Sequence, residues 1–161
     1  MFMVVVEGII YAGAADDWTH NLYAYDPRAD SWVQKRDMNH EHAQGRGVAL
    51  DGLVFVCGGS ASARCEAYYP GEDTWHDRHP MRSNRDYHSM AVYDGQVYAF
   101  GGFYNTRGKP LTSVEHYNPV QDQWLPAHGA LAEPYSCQMA VPVDPQCANL
   151  FSYSGIRRMK P

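Results

Sequence analysis

Short runs of apolar and β-favouring residues recur along the chain, and turn pairs separate them. Residues 88–93 form an apolar-rich run, closed by the hairpin signal Asp94-Gly95. Residues 96–100 alternate between apolar and polar positions and end at Gly101-Gly102, where a side chain would restrict the backbone. Residues 113–117 make a third run, Asn118-Pro119 opens a turn, and a short fourth run surrounds Trp124. No amphipathic stretch is long enough to predict a helix. The pattern predicts an all-β protein built from four short antiparallel strands at a time.

The same arrangement is written three times. Residues 48–81 carry the landmarks of 91–124, and residues 4–38 carry a worn copy. The turn pairs Glu7-Gly8, Asp51-Gly52 and Asp94-Gly95 are 44 and 43 residues apart. Pro27, Pro70 and Pro119 are 43 and 49 apart, as are Trp32, Trp75 and Trp124. The longer interval reflects an insertion around residues 104–111, as expected of loops on one face of a repeat. Four strands per repeat of this length predict the blades of a β-propeller.

The landmarks resemble the kelch repeat: apolar strand, Asp-Gly, apolar strand ending Gly-Gly, Glu-x-Tyr-x-Pro, Trp five residues after the proline, then Met or Leu. They stand here as Gly58-Gly59, Glu66, Tyr68, Pro70, Trp75 and Met81, and as Gly101-Gly102, Glu115, Tyr117, Pro119, Trp124 and Leu131. The first copy keeps Tyr25, Pro27, Trp32 and Met38 but has Ala12-Gly13-Ala14 for the glycine pair and Tyr23 for the glutamate. The repeats divide the chain into 1–38, 39–81 and 82–131, with a partial repeat and tail at 132–161. Gly58, Gly59, Tyr68, Trp75, Gly101, Gly102, Tyr117 and Trp124 are expected to be packing residues, the aromatics filling the wedge between blades.

The resemblance implies five to seven blades in a closed ring, and six would take roughly 260 residues. Three blades plus a closing strand at 135–143 therefore read as an incomplete ring. An open arc exposes two blade faces, which predicts marginal stability alone or self-association through the open edges.

Charge and composition narrow the function. The net charge is −5 and the pI about 5.8, which leaves no nucleic-acid footprint, and the basic tail Arg157-Arg158-Met159-Lys160 is too short to alter this. No apolar run reaches the length of a transmembrane helix. Met1–Val6 lacks the basic start of a signal peptide. Cys57, Cys65, Cys137 and Cys147 have no zinc spacing. Cys57 reads as a small core hydrophobe, and the set fits a reducing, cytoplasmic setting. His40-x-His42 and His76-x-x-His79 lack a third nearby ligand, so no metal or cofactor is expected. No nucleophile elbow, phosphate loop or dinucleotide fingerprint is present, and no enzyme is expected.

What remains is a binding surface on loops around one mouth. Candidates after the glycine pairs are Ser60 in the second repeat and Phe103, Tyr104, Asn105 and Arg107 in the third. Candidates before the innermost strands are His42 and Arg85. The resemblance implies that an arginine at the Arg85 position faces the mouth and binds acidic peptide groups, with guanidinium–carboxylate geometry suited to it. The blander alternatives stay open: Arg85 pairs with Asp86 or a strand carboxylate, Phe103 packs on the neighbouring blade, and Tyr104, Asn105 and Arg107 are solvated. The kelch-like class implies a protein or peptide ligand and a role as substrate adaptor for cullin-3. Cullin-3 would be reached through BTB and BACK domains, of which this sequence carries no residue. Kelch proteins that bind actin, and kelch-type oxidases, are the competing readings.

Overall fold

The computed structural model describes residues 1–13, 20–105 and 108–134. Twelve strands run in chain order: β1 Phe2–Val6, β2 Ile9–Gly13, β3 Leu22–Asp26, β4 Ser31–Lys35, β5 Arg46–Leu50, β6 Leu53–Cys57, β7 Cys65–Tyr69, β8 Thr74–Arg78, β9 Ser89–Tyr93, β10 Gln96–Phe100, β11 Ser113–Asn118 and β12 Gln123–Ala130. They form three four-stranded antiparallel sheets in simple order, β1–β4, β5–β8 and β9–β12. Each is one blade. No helix occurs among the described residues, and the all-β propeller-blade architecture expected from the repeats is what the chain adopts.

Each blade opens with a tight hairpin. Glu7-Gly8, Asp51-Gly52 and Asp94-Gly95 have positive φ at both residues, 50° and 83°, 50° and 78°, 50° and 68°. That geometry matches the right-handed twist of the strands it joins. β5 lies between β1 and β9, so the first strands of the three blades stand side by side and the blades fan outward from them.

Two apolar cores fill the wedges. Phe2, Val4, Val6, Tyr11, Leu22 and Ala24 of the first blade meet Val54, Val56, Tyr68 and Trp75 of the second. Leu50, Phe55, Cys57, Cys65 and Ala67 of the second meet Val97, Ala99, Tyr117 and Trp124 of the third. Successive residues of β6 thus serve opposite cores, which is why Leu53–Cys57 reads as a continuous apolar run. β1 alternates instead: Phe2, Val4 and Val6 are buried, while Met3 and Val5 are exposed.

Two expectations change. β12 extends to Ala130 rather than ending near residue 125, with an irregularity in register between Ser113 and Glu115. Cys57 is not a free thiol: it stands directly opposite Cys65 on the neighbouring strand, and the two form a disulfide. The strand expected at 135–143 lies outside the described residues.

A polar set recurs in every blade and ties the second and third to the blade before. The hydroxyls of Tyr25, Tyr68 and Tyr117 donate to Asp30, Asp73 and Asp122 at 2.6, 2.7 and 2.6 Å. Each tyrosine sits opposite a tryptophan, Tyr25–Trp32, Tyr68–Trp75 and Tyr117–Trp124. Asp73 and Asp122 then accept the backbone N–H of Arg36 and of His79 from the preceding blade, each at 3.0 Å. Trp75 Nε1 adds a bond to the Arg36 carbonyl at 2.9 Å. The same aspartate position lies five residues after the tyrosine and two before the tryptophan in all three copies, a signal visible in the sequence once it is sought.

Candidate interaction face

The chain passes from the last strand of one blade to the first strand of the next through linkers at 36–45 and 79–88. These linkers run beside the glycine pairs. A Cβ on Gly59 would lie 2.2 Å from the Ala43 carbonyl, and one on Gly58 would lie 2.5 Å from the Arg85 carbonyl. Both glycines have positive φ, 82° and 69°. No other residue fits where two linkers approach a strand end this closely.

The repeated glutamates anchor the linkers. Glu66 accepts the N–H of Asn39 at 3.0 Å and of His40 at 3.3 Å. Glu115 accepts the N–H of Arg82 at 2.6 Å. The side chain three residues further along each linker completes the set. His42 Nδ1 bonds the Gly58 carbonyl at 2.7 Å and Nε2 bonds Glu66 at 3.0 Å. Arg85 does the same job with more donors. Its Nε reaches Glu115 at 3.3 Å; Nη2 reaches Glu115 and the Ser113 hydroxyl, both at 2.8 Å; Nη1 reaches the carbonyls of Gly101 and Ser113 at 2.7 and 3.0 Å.

All five guanidinium donors are therefore satisfied inside the protein. Arg85 and His42 are each 0% exposed. This corrects the expectation that Arg85 faces the mouth and that His42 is a contact residue: both lie beneath the surface, holding a linker to a strand. Arg85 pairs with Glu115, a strand carboxylate, as the blander alternative had it. The two residues occupy one repeat position, and either cationic or donor-rich side chain suits the same carbonyl and carboxylate.

Loops do converge above this layer. Asp86 joins them. Its backbone exchanges two hydrogen bonds with Phe103, both at 2.9 Å, and its carboxylate accepts the N–H of Ala61 at 3.0 Å. Asn84 Nδ2 donates to the Ala61 carbonyl at 2.7 Å. The loops after the second and third blades' glycine pairs are thereby fixed to each other through the linker between them. Ser60 is exposed on the first of these loops, at φ 51°. On the second, Phe103 is half-buried and meets Tyr87 edge-on at 6.4 Å, while Tyr104 is 52% exposed and Asn105 is exposed. Tyr87 has φ 54°, an unusual backbone state for a bulky residue, and its N–H bonds the Gln44 carbonyl. Sequence reasoning passed over Tyr87, since only backbone geometry distinguishes it. Arg107 lies outside the described residues.

Beneath this face His88 is fully buried and neither ring nitrogen has a hydrogen-bond partner among the described residues. Burial pushes its pKa down to about 3, with the charges of Arg85 and Arg46 adding to the shift. Asp73 is held below the usual 3.8 by the Arg36 N–H and then the Tyr68 hydroxyl. For Asp122, burial opposes the shift, but the Tyr117 hydroxyl, the His79 N–H and Arg78 outweigh it. Tyr68 and Tyr117 are pushed well above 10.0, by burial first and then by their aspartates.

The signs follow from linkage. Depressed groups stabilise above their unfolded pKa and lose that contribution as pH falls; the raised tyrosines lose theirs as pH rises past 10.0. Stability is expected to decline first below about pH 6.5, as unfolded His88 takes up a proton that the native state refuses, and again below about pH 4. Urea midpoints measured against pH check this. Asp73→Asn with Asp122→Asn should flatten the second decline and leave the first.

Comparison with known proteins places these features. The Kelch motif family model matches residues 84–127, the third blade with its linker. The chain is 30% identical over 112 residues to human Kelch-like protein 23, covering 65% of this chain and 20% of that protein. It is 32% identical over 122 residues to human Kelch-like protein 34, covering 70% of this chain and 18% of that protein. The chain is a kelch-repeat domain. It spans about one fifth of the length of the curated relatives it matches. In this kelch-repeat domain the glycine pair, the glutamate and the Tyr–Trp pair have assigned physical work, and they serve the scaffold. The loop residues above them, Ser60 in one repeat and Phe103 and Tyr104 in the next, differ between repeats.

Proposed function

We propose that this kelch-repeat domain, a protein-interaction module, recognises a protein or peptide target through the loop face joined by Asp86. We further propose that it is the target-recognition part of a cullin-3 ubiquitin ligase adaptor. The observation that carries the first reading is the Asp86 junction, which holds Ser60, Tyr87, Phe103 and Tyr104 on one fixed surface. Aromatic residues on a rigid backbone are favoured anchors for a protein partner, because ordering them costs little side-chain entropy. Similarity to two kelch-like proteins supports the second reading, in which domains outside this chain engage the ligase. We assign it no catalytic role.

Peptides selected from a displayed library against the chain test the site. Tyr104→Ala is expected to weaken the selected peptides roughly tenfold or more, as for an aromatic anchor, with no change in the urea midpoint. Peptides indifferent to both Tyr104→Ala and Tyr87→Ala would place the site elsewhere. For the adaptor role, this chain fused behind BTB and BACK domains should promote ubiquitin transfer to a bound target only when cullin-3 is present.

A further inference from the structure

Each junction between blades has two halves. The later blade supplies the Tyr–Asp–Trp set. The earlier blade supplies an aromatic from its second strand and the backbone just past its fourth. Tyr68 packs 5.7 Å from Tyr11, and Tyr117 packs 4.8 Å from Phe55. Asp73 and Asp122 receive the N–H groups of Arg36 and His79.

The first blade carries the later half of a third junction. The Tyr25 and Trp32 rings lie 5.1 Å apart, close to the 5.2 and 5.4 Å of the two closed sets. The Tyr25 hydroxyl is already bonded to Asp30, whose φ of 47° matches 52° and 49° in the other two. Among the described residues nothing completes it. Trp32 is 54% exposed, against 6% for Trp75 and 3% for Trp124. Met3, Val5 and Tyr23 are exposed beside it.

The third blade carries the earlier half. Tyr98 lies four residues past Asp94, as Phe55 lies past Asp51 and Tyr11 past Glu7. It is half-buried in a ring stack with Phe100 and His116, next to Tyr93, which is 67% exposed. His128 follows Trp124 by four residues, as Arg36 follows Trp32 and His79 follows Trp75, although it lies within the longer β12 rather than just past it.

We propose that the open face of the first blade docks the third blade of a second copy, head to tail. Tyr25 and Trp32 pack on the second copy's Tyr98, and Asp30 receives a backbone N–H near its His128. The contact continues the interface that already joins neighbouring blades within the chain. It is heterologous, using two different faces, so it closes into a ring or runs on as a chain of copies according to its rotation.

Light scattering on the eluting protein across a dilution series tests the proposal. The parent chain is expected to self-associate. Asp30→Ala with Trp32→Glu on one face, or Tyr98→Glu on the other, is expected to weaken association roughly tenfold or more. Tyr93→Glu, at an exposed position, replaces the Tyr98 variant if that one does not fold. The decisive arm mixes the two defective variants. Each retains the half the other lacks, so the mixture should recover one-to-one pairs. A monomeric parent at every concentration would overturn the proposal, as would association indifferent to these substitutions, or a mixture that stays monomeric. So would a longer polypeptide carrying preceding repeats that shields Trp32 at any dilution while the 161-residue chain remains monomeric.

Discussion

Replacing Arg85 by alanine is expected to lower stability by about 3–5 kcal/mol, because it leaves the buried carboxylate of Glu115 without its counter-charge. Glu115 would keep the Arg82 N–H, while the carbonyls of Gly101 and Ser113 would lose the donors that now satisfy them. For a domain of this size each kcal/mol moves the melting temperature by roughly 2–4 °C, so the transition should fall by roughly 6–20 °C. Lysine is a poor substitute. Its ammonium is a compact group on a flexible stem and cannot reproduce the planar fork that spans the carboxylate and two carbonyls. Arg85→Met combined with Glu115→Leu should recover much of the loss, since removing both charges avoids an uncompensated one. Urea unfolding checks the series. A loss below about 1 kcal/mol for Arg85→Ala would mean the guanidinium is solvated, and would return Arg85 to the ligand-binding candidates.

Trp75→Ala is expected to cost about 3–5 kcal/mol, and Trp32→Ala less than about 1 kcal/mol, although the two hold the same place in the repeat. Trp75 is buried between the first and second blades, 5.2 Å from the Tyr68 ring, with its Nε1 bonded to the Arg36 carbonyl. Removing it deletes apolar contact on both sides and leaves a cavity that the sheets cannot readily close. Trp32 has the equivalent tyrosine partner, Tyr25, and no blade against its face among the described residues, so alanine there removes contacts within its own blade and leaves no enclosed cavity. Chemical denaturation of the two variants in dilute solution measures the difference. Equal costs would mean that the face of the first blade is covered.

The architecture was legible because it is periodic. Hairpin pairs and tryptophans recur at nearly constant spacing apart from one loop insertion, and any single misread strand is corrected by its two copies. The candidate site was less legible because periodicity hides what its conserved-looking members do. Arg85 and His42 differ in identity between repeats, which made them look like loop residues free to meet a ligand. They share an environment instead: one strand carboxylate and the carbonyl of the glycine at the strand end. Only coordinates show that an arginine and a histidine answer the same pair of acceptors. The aspartates of the Tyr–Asp–Trp sets were in plain view at constant spacing but have no hydrophobic signature to draw notice. Cys57 and Cys65 are eight residues apart, a separation that says nothing until the hairpin register sets them opposite each other. Phe103 and Tyr104 were singled out by their place after a glycine pair. Tyr87 was missed because its distinction is a backbone angle.

The central claim is that, among the described residues, three copies of one junction half exist, of which two are closed and one is open. Quenching of tryptophan fluorescence by acrylamide tests it directly, using parent protein against Trp32→Phe, Trp75→Phe and Trp124→Phe at high dilution. The account predicts that the emission lost with Trp32 is red-shifted and readily quenched, while that lost with Trp75 or Trp124 is blue-shifted and protected. A Trp32 component as protected as the other two in dilute monomer would contradict it.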